Sequence, residues 1–257
     1  MMDQIKRSLD VLKKNRTTYS VQVFLELFFI ISVFFSISVF GTILMETAVN
    51  LADIVGSANL EEMDRGELMK LAEQKPELDK NLETFGYNLF YLIASIFLSY
   101  ILFKGACWFM TLKAMKKTKF RLFVKNFLVL NIVLFPVLLI LLMFYINTLF
   151  YLGFLLPSLA VDIFFLAVFI VFGFFAVLCF SNLGEKNVKD IFIKAYEKCF
   201  FKFKYHFRNY MILIIVLFIM ALVVFLLSLM GTVVAVLFSL VSYVMYCIWS
   251  RVYVILI

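Results

Sequence analysis

The amino-acid sequence predicts an all-α membrane protein. Six transmembrane helices form three hairpins, each preceded by a basic amphipathic surface helix on the cytoplasmic side, and a small helical cap stands on the extracytoplasmic side. Three observations lead there. Apolar residues make up 65% of the 257 and charged residues only 16%, with a mean hydropathy of +1.03. A water-soluble domain of that composition would expose a surface far too apolar for water, so the chain belongs in a bilayer. Second, Phe127 to Phe180 is 54 residues holding the single charge of Asp162, and Tyr210 to Ser250 holds none. At 1.5 Å per residue the first would make one helix about 80 Å long against a hydrocarbon core of about 30 Å, so each stretch folds back once. Third, the basic residues gather at alternate junctions between apolar runs, while the one large polar segment is acidic. That is how cytoplasmic and external loops are marked.

Residues 3–16 place Ile5, Leu9 and Leu12 on one helical face and Lys6, Arg7, Asp10, Lys13 and Lys14 opposite, as in a helix lying in the membrane interface. The first span, 21–44, has no small-residue cleavage site at its end, which reads as a retained signal anchor. Glu46 to Glu83 carries ten acids and four bases, a net of −6, and is placed outside. In this cap, residues 46–86, Leu60, Met63, Leu68 and Leu71 mark a short helix stopped near Pro76, with another from Pro76 to Thr84. The second span, 87–110, leads to Lys113 to Lys125, which holds six bases and no acid. Gly153 and Pro157 separate the third span, 127–150, from the fourth, 158–180, and Pro136 kinks the third. Ser181 to Arg208 has seven bases against three acids and is inside again. Its apolar face, Val188, Ile191, Ala195 and Cys199, is expected to sink into the acyl boundary. Spans five and six, 210–230 and 232–254, turn at Gly231-Thr232. Both termini are then cytoplasmic, and the 257 residues form one integral membrane domain.

Charges inside hydrocarbon are costly, roughly 2.5 to 3.5 kcal/mol at a helix centre, which makes the intramembrane charges Glu26, Lys104, Asp162 and Arg251 the first site candidates. Glu26 and Lys104 lie at matching depths near the inner leaflet. An ion pair between them, with Arg251 at a comparable level, stands against separate snorkelling to the headgroups. Asp162, one turn into span four, sits favourably beside a positive helix N-terminus; a cation or substrate contact is the other reading. Asn131, Asn147, Ser32, Ser36, Ser38, Ser95, Ser99, Ser239 and Ser242 offer interhelical hydrogen bonds. No ionisable group falls at the predicted midplane, which argues against an ion-coupled carrier.

Catalytic patterns are missing from the sequence: it has no P-loop, G-x-G-x-x-G, H-E-x-x-H or G-x-S-x-G. The single histidine, His206, lies among Lys204, Tyr205, Phe207 and Arg208, a setting suited to a headgroup contact rather than to a general base. A membrane-bound lipid enzyme would need cap acids such as Glu61, Glu62 and Asp64 to converge on a metal. The four cysteines are widely spaced and read as small apolar filler. Neither a metal site nor a cofactor is implied, and the net charge of +7 follows membrane topology rather than nucleic-acid binding.

Two clusters remain as candidate lipid-headgroup contacts: Lys113, Lys116, Lys117, Lys119, Arg121 and Lys125, then Lys194, Lys198, Lys202, Lys204, His206 and Arg208. Each base near an anionic leaflet contributes about 1 kcal/mol, although the same charges also suffice to set topology. Ile5-Lys6 to Lys14-Asn15 and the stretch from Ile193 to Asn209 give a short basic helix, of the form I-K-x-x-x-x-x-x-K-x-N in the first, ahead of a hydrophobic hairpin. In this the chain resembles a broad group of prokaryotic, notably archaeal, multi-pass proteins related to the membrane domain of glycerophosphodiester phosphodiesterases. The likeness extends over the whole chain except the acidic cap. It implies a membrane-embedded module, and since the soluble phosphodiesterase domain has no counterpart in these residues, no catalytic residue carries over.

The sequence thus leads to a non-enzymatic multi-pass protein of the cell membrane, a scaffold or a subunit that binds lipids or partners. Anionic headgroups at the cytoplasmic face, other membrane proteins or further copies of the chain are its expected partners. The alternative is a transporter or permease component moving a small solute or lipid.

Overall fold

The computed structural model describes residues 2–56, 65–115, 118–152, 158–229 and 231–256, and the side chains of 4–52, 76, 78–115, 118–148, 159–229 and 231–256. Among them there is no strand, and short connections join the helices. Six helices are long and apolar enough to cross a membrane: Arg16–Ala52, Leu78–Met115, Phe120–Thr148, Leu159–Ser181, Phe203–Ser228 and Thr232–Leu256. At most 22% of the apolar centre of each is buried inside the protein. Exposed side chains such as Phe34, Phe35, Phe144 and Phe218 complete a surface that suits hydrocarbon and not water.

The chain divides into two compact units, Glu26–Lys104 and a second made of Met1–Leu25 with Gly105–Ile257. In the continuous unit, helix α2 (Arg16–Ser36) runs through a π-helical turn, Ile37–Gly41, into α3 (Thr42–Gly56). Helix α4 (Arg65–Ser99) ends in a second π-helical turn, Tyr100–Lys104. Phe28 stacks on Phe103, Ser32 bonds to Ser99 and Phe40 stacks on Tyr91. As one residue number rises its partner's falls, so the two helical stretches run side by side in opposite directions.

The acidic segment departs from expectation. In place of short cap helices, α3 and α4 extend into it, and α4 passes through Pro76 without stopping. A proline there lacks the N–H that would reach the carbonyl of Ala72, a cost of about 3 kcal/mol. Strong helix formers (Leu71, Ala72, Glu73, Gln74, Lys75) precede it, and the long helix tolerates the loss. Glu61, Glu62 and Asp64 lie outside the described residues.

The discontinuous unit holds α1 (Met2–Lys14), the start of α2, α5 (Gly105–Met115), α6 (Phe120–Leu152), α7 (Ser158–Ser181), α8 (Val188–Phe201), α9 (Phe203–Ser228) and α10 (Thr232–Leu256). Helices α6 and α7 meet through Phe127 on Phe180 and Tyr145 on Phe165. Pro136 lies inside α6. The Asn126 amide donates to the carbonyls of Leu183 (3.2 Å) and Glu185 (2.7 Å), tying down the connection after α7. Leu213, Tyr253 and Val254 form a buried cluster of α9 and α10, with Ile5 of α1 packed against it.

Three basic surface helices are expected from the sequence, and helices stand at the first and third of these places, each with one face packed on the protein. Helix α1 docks on α10: Ser8 is fully buried and accepts a hydrogen bond from Trp249 Nε1 at 3.0 Å. In α8 the apolar face turns onto α7, with Ile191 and Ala195 fully buried, and so covers protein rather than acyl chains. Before the third span the described residues hold no separate surface helix. Lys113 closes α5, and α6 begins at Phe120, so Arg121 and Lys125 already sit in its first turns. Apolar and basic periodicity cannot tell a face that meets lipid from one that meets a neighbouring helix.

Candidate functional site

In the continuous unit, Glu26 is fully buried on α2 and Lys104 is 6% exposed at the end of its π-helical turn. The Lys104 ammonium donates to Glu26 Oε2 as an ion pair and lies 4.5 Å from the centre of the Phe29 ring. A π-helical turn inserts one residue and so rotates the next stretch of helix about its axis, and such insertions recur at functional positions. Ser32 and Ser99 share a hydroxyl hydrogen bond of 2.6 Å in the same unit. The lysine is thus held inside the protein rather than extended to a headgroup.

In the discontinuous unit the buried polar group centres on Gln22. Its amide Nε2 donates to Thr111 Oγ1 at 3.1 Å, and its Oε1 accepts from Arg251 Nη2 at 3.4 Å. Arg251 is 4% exposed. Thr111 also donates to the Cys107 carbonyl at 2.9 Å. These contacts join α2, α5 and α10 through hydrogen bonds in a low-dielectric interior, where an unmade bond is costly. Gln22 and Thr111 carry no charge and sit in long apolar runs, so only their side-chain polarity could have singled them out.

Beside them, α1, α2, α9 and α10 enclose an open cleft of about 550 Å³, lined by residues including Leu12, Tyr19, Val23, Met220, Tyr246 and Trp249. The volume falls in the range of ligand pockets, about 300 to 1,000 Å³. Tyr246 donates its hydroxyl to the Leu213 carbonyl (3.1 Å), and Trp249 gives its indole N–H to Ser8, which leaves their rings to face the cleft. Tyr19 is 6% exposed, and its hydroxyl has no hydrogen-bond partner among the described residues. Arg16, exposed at the α1–α2 junction, also lines the cleft.

The remaining candidates fall in different settings. Asp162 is exposed on α7 and accepts a hydrogen bond from Tyr145 on α6 at 2.9 Å, a partner that charge and spacing did not point to. His206, expected at the headgroups, is instead buried at 4% exposure, on the side of α9 that also carries Asn209 and Leu213. Lys198 donates to Ser181 at 3.1 Å, and Lys194 pairs with Glu185 at 2.6 Å. Lys113, Lys119, Arg121, Lys125, Lys202, Lys204 and Arg208 are exposed. Lys116 and Lys117 lie outside the described residues. Burial pushes the Cys199 thiol above its ordinary range. Among the described residues no group of His, Cys, Asp or Glu could hold a metal ion.

No family model matches the chain, and neither a curated protein nor a solved structure matches it.

Proposed function

We propose that the chain is a non-enzymatic multi-pass membrane protein, a scaffold or binding subunit that engages anionic lipid. In this reading its helices form three hairpins, both termini and the basic segments face the cytosol, and the acidic segment faces outward. The kinship with membrane domains of the phosphodiesterase type belongs to the same proposal.

The observation that carries it is the division of the cations. Among the described residues the buried Lys and Arg side chains, Lys104 and Arg251, are bonded to side chains within the protein. Lys119, Arg121, Lys125, Lys202, Lys204 and Arg208 are exposed at or beside the first turns of candidate spans. Fixed internal partners favour a structural role for the former, while exposed bases next to apolar spans favour headgroups.

The test is reconstitution of the full chain in vesicles of mixed phosphatidylcholine and phosphatidylglycerol. Lipids retained on gentle extraction are expected to be enriched in phosphatidylglycerol, and Lys202→Gln with Lys204→Gln and Arg208→Gln should reduce that enrichment. Equal retention of both lipids by the natural chain would remove the lipid-binding reading. Solute or lipid movement above that of protein-free vesicles would replace it with transport.

A further inference from the structure

We propose that the cleft between α1, α2, α9 and α10 binds one anionic phospholipid, with an acyl chain along its walls and the phosphate held by Arg16. The proposal deepens the lipid-binding reading above and rests on it. Its starting point is the unequal distribution of polar atoms around the cleft. Four wall residues with polar groups have turned them to the protein: Ser20 donates to the Arg16 carbonyl, Ser242 to the Ser239 carbonyl, Tyr246 to the Leu213 carbonyl and Trp249 to Ser8. The surface left to the space is ring and aliphatic carbon, including Leu12, Val23, Met220 and Met245. A polar solute would find few partners there, whereas an alkyl chain would.

The charge left over lies at one end. Arg16 is exposed and forms no ion pair among the described residues. A phosphate at that end would accept charge-assisted hydrogen bonds from the guanidinium. From Arg16 to Val23 the cleft runs along α2 for about 10 Å, two helical turns from a cationic end to an apolar one. That polarity is the polarity of a phospholipid, and the guanidinium selects a negative headgroup.

The chain carries two tryptophans, Trp108 and Trp249, and Trp249 lines the cleft, so its fluorescence reports the occupant. The test uses the full-length Trp108→Phe variant in vesicles of phosphatidylcholine brominated on its acyl chains, with unbrominated phosphatidylglycerol added in steps. Phosphatidylglycerol should protect Trp249 from quenching about fivefold more than its share of the bilayer predicts, the preference expected of one cation at an anionic lipid. Arg16→Gln should bring protection down to that share. Ser242→Phe, which fills the cleft and leaves Arg16 in place, should abolish quenching. Lys202→Gln and Lys204→Gln should leave protection unchanged, which separates the cleft from the basic flanks.

Protection that tracks bulk composition in the natural background overturns the cleft site while leaving headgroup binding elsewhere standing. Protection that falls with the Lys202 and Lys204 variants but not with Arg16→Gln also overturns it. Absence of quenching by any lipid means that protein, this chain or a second copy, fills the cleft, and the proposal fails. A helical circular-dichroism signal equal to that of the parent variant verifies that each substituted chain is folded.

Discussion

Replacing Lys104 with Met removes the ammonium that Glu26 accepts from inside the protein. Breaking a buried pair costs about 3 to 5 kcal/mol, much of it the burden of a carboxylate left in a poor solvent for charge. Titration of the purified chain with a denaturing detergent should register this loss for Lys104→Met. Adding Glu26→Gln should recover part of it, since a neutral amide is cheaper to bury. A double variant as unstable as the sum of the two single variants would show that the contact contributes no coupling. The charged residues of the interior were legible in the sequence because each interrupts an apolar run. Their uncharged companions were not: Gln22, Thr111 and Tyr145 are polar enough to bond but too common in membrane helices to draw notice. His206 was misplaced for a related reason, since basic neighbours in sequence say little about which side of α9 the ring faces.

Between α5 and α6 the close approach depends on Gly105. A methyl group there would come within 3.0 Å of the Phe127 ring, and that ring is 2% exposed and in contact with Phe123 and Phe180. It has nowhere to go. Gly105→Val should therefore destabilise the chain by about 1 to 3 kcal/mol through overpacking, measured as an earlier unfolding midpoint in the same titration. The existence of six long apolar helices could be read from length and charge alone, because the bilayer fixes how much chain a crossing needs. Their ends could not. Pro76 ought to stop a helix by local rules, yet α4 runs on through it, and Arg121 and Lys125 of the lysine-rich stretch lie in the first turns of α6. Local propensity loses where a long helix is already established on both sides.

For the molecule as a whole, the proposed threading makes a sharp prediction about sidedness. In sealed, right-side-out vesicles a cysteine replacing Asp79 should react with an impermeant maleimide, while one replacing Lys119 should react only after the membrane is opened. The reverse pattern, or labelling of both from one side, would invalidate the assignment of basic segments to the cytosol. A different consequence comes from the bond between Ser8 and Trp249, which joins positions 241 residues apart. The continuous unit, Glu26–Lys104, draws on one uninterrupted stretch and can assemble as soon as that stretch has left the ribosome. Its companion has to hold α1 in readiness until α10 has been made, with Ile5 and Ser8 awaiting the helix that covers them. Maturation of that unit therefore waits on α10, and a ribosome that halts before it leaves behind a chain whose first helix has no seat.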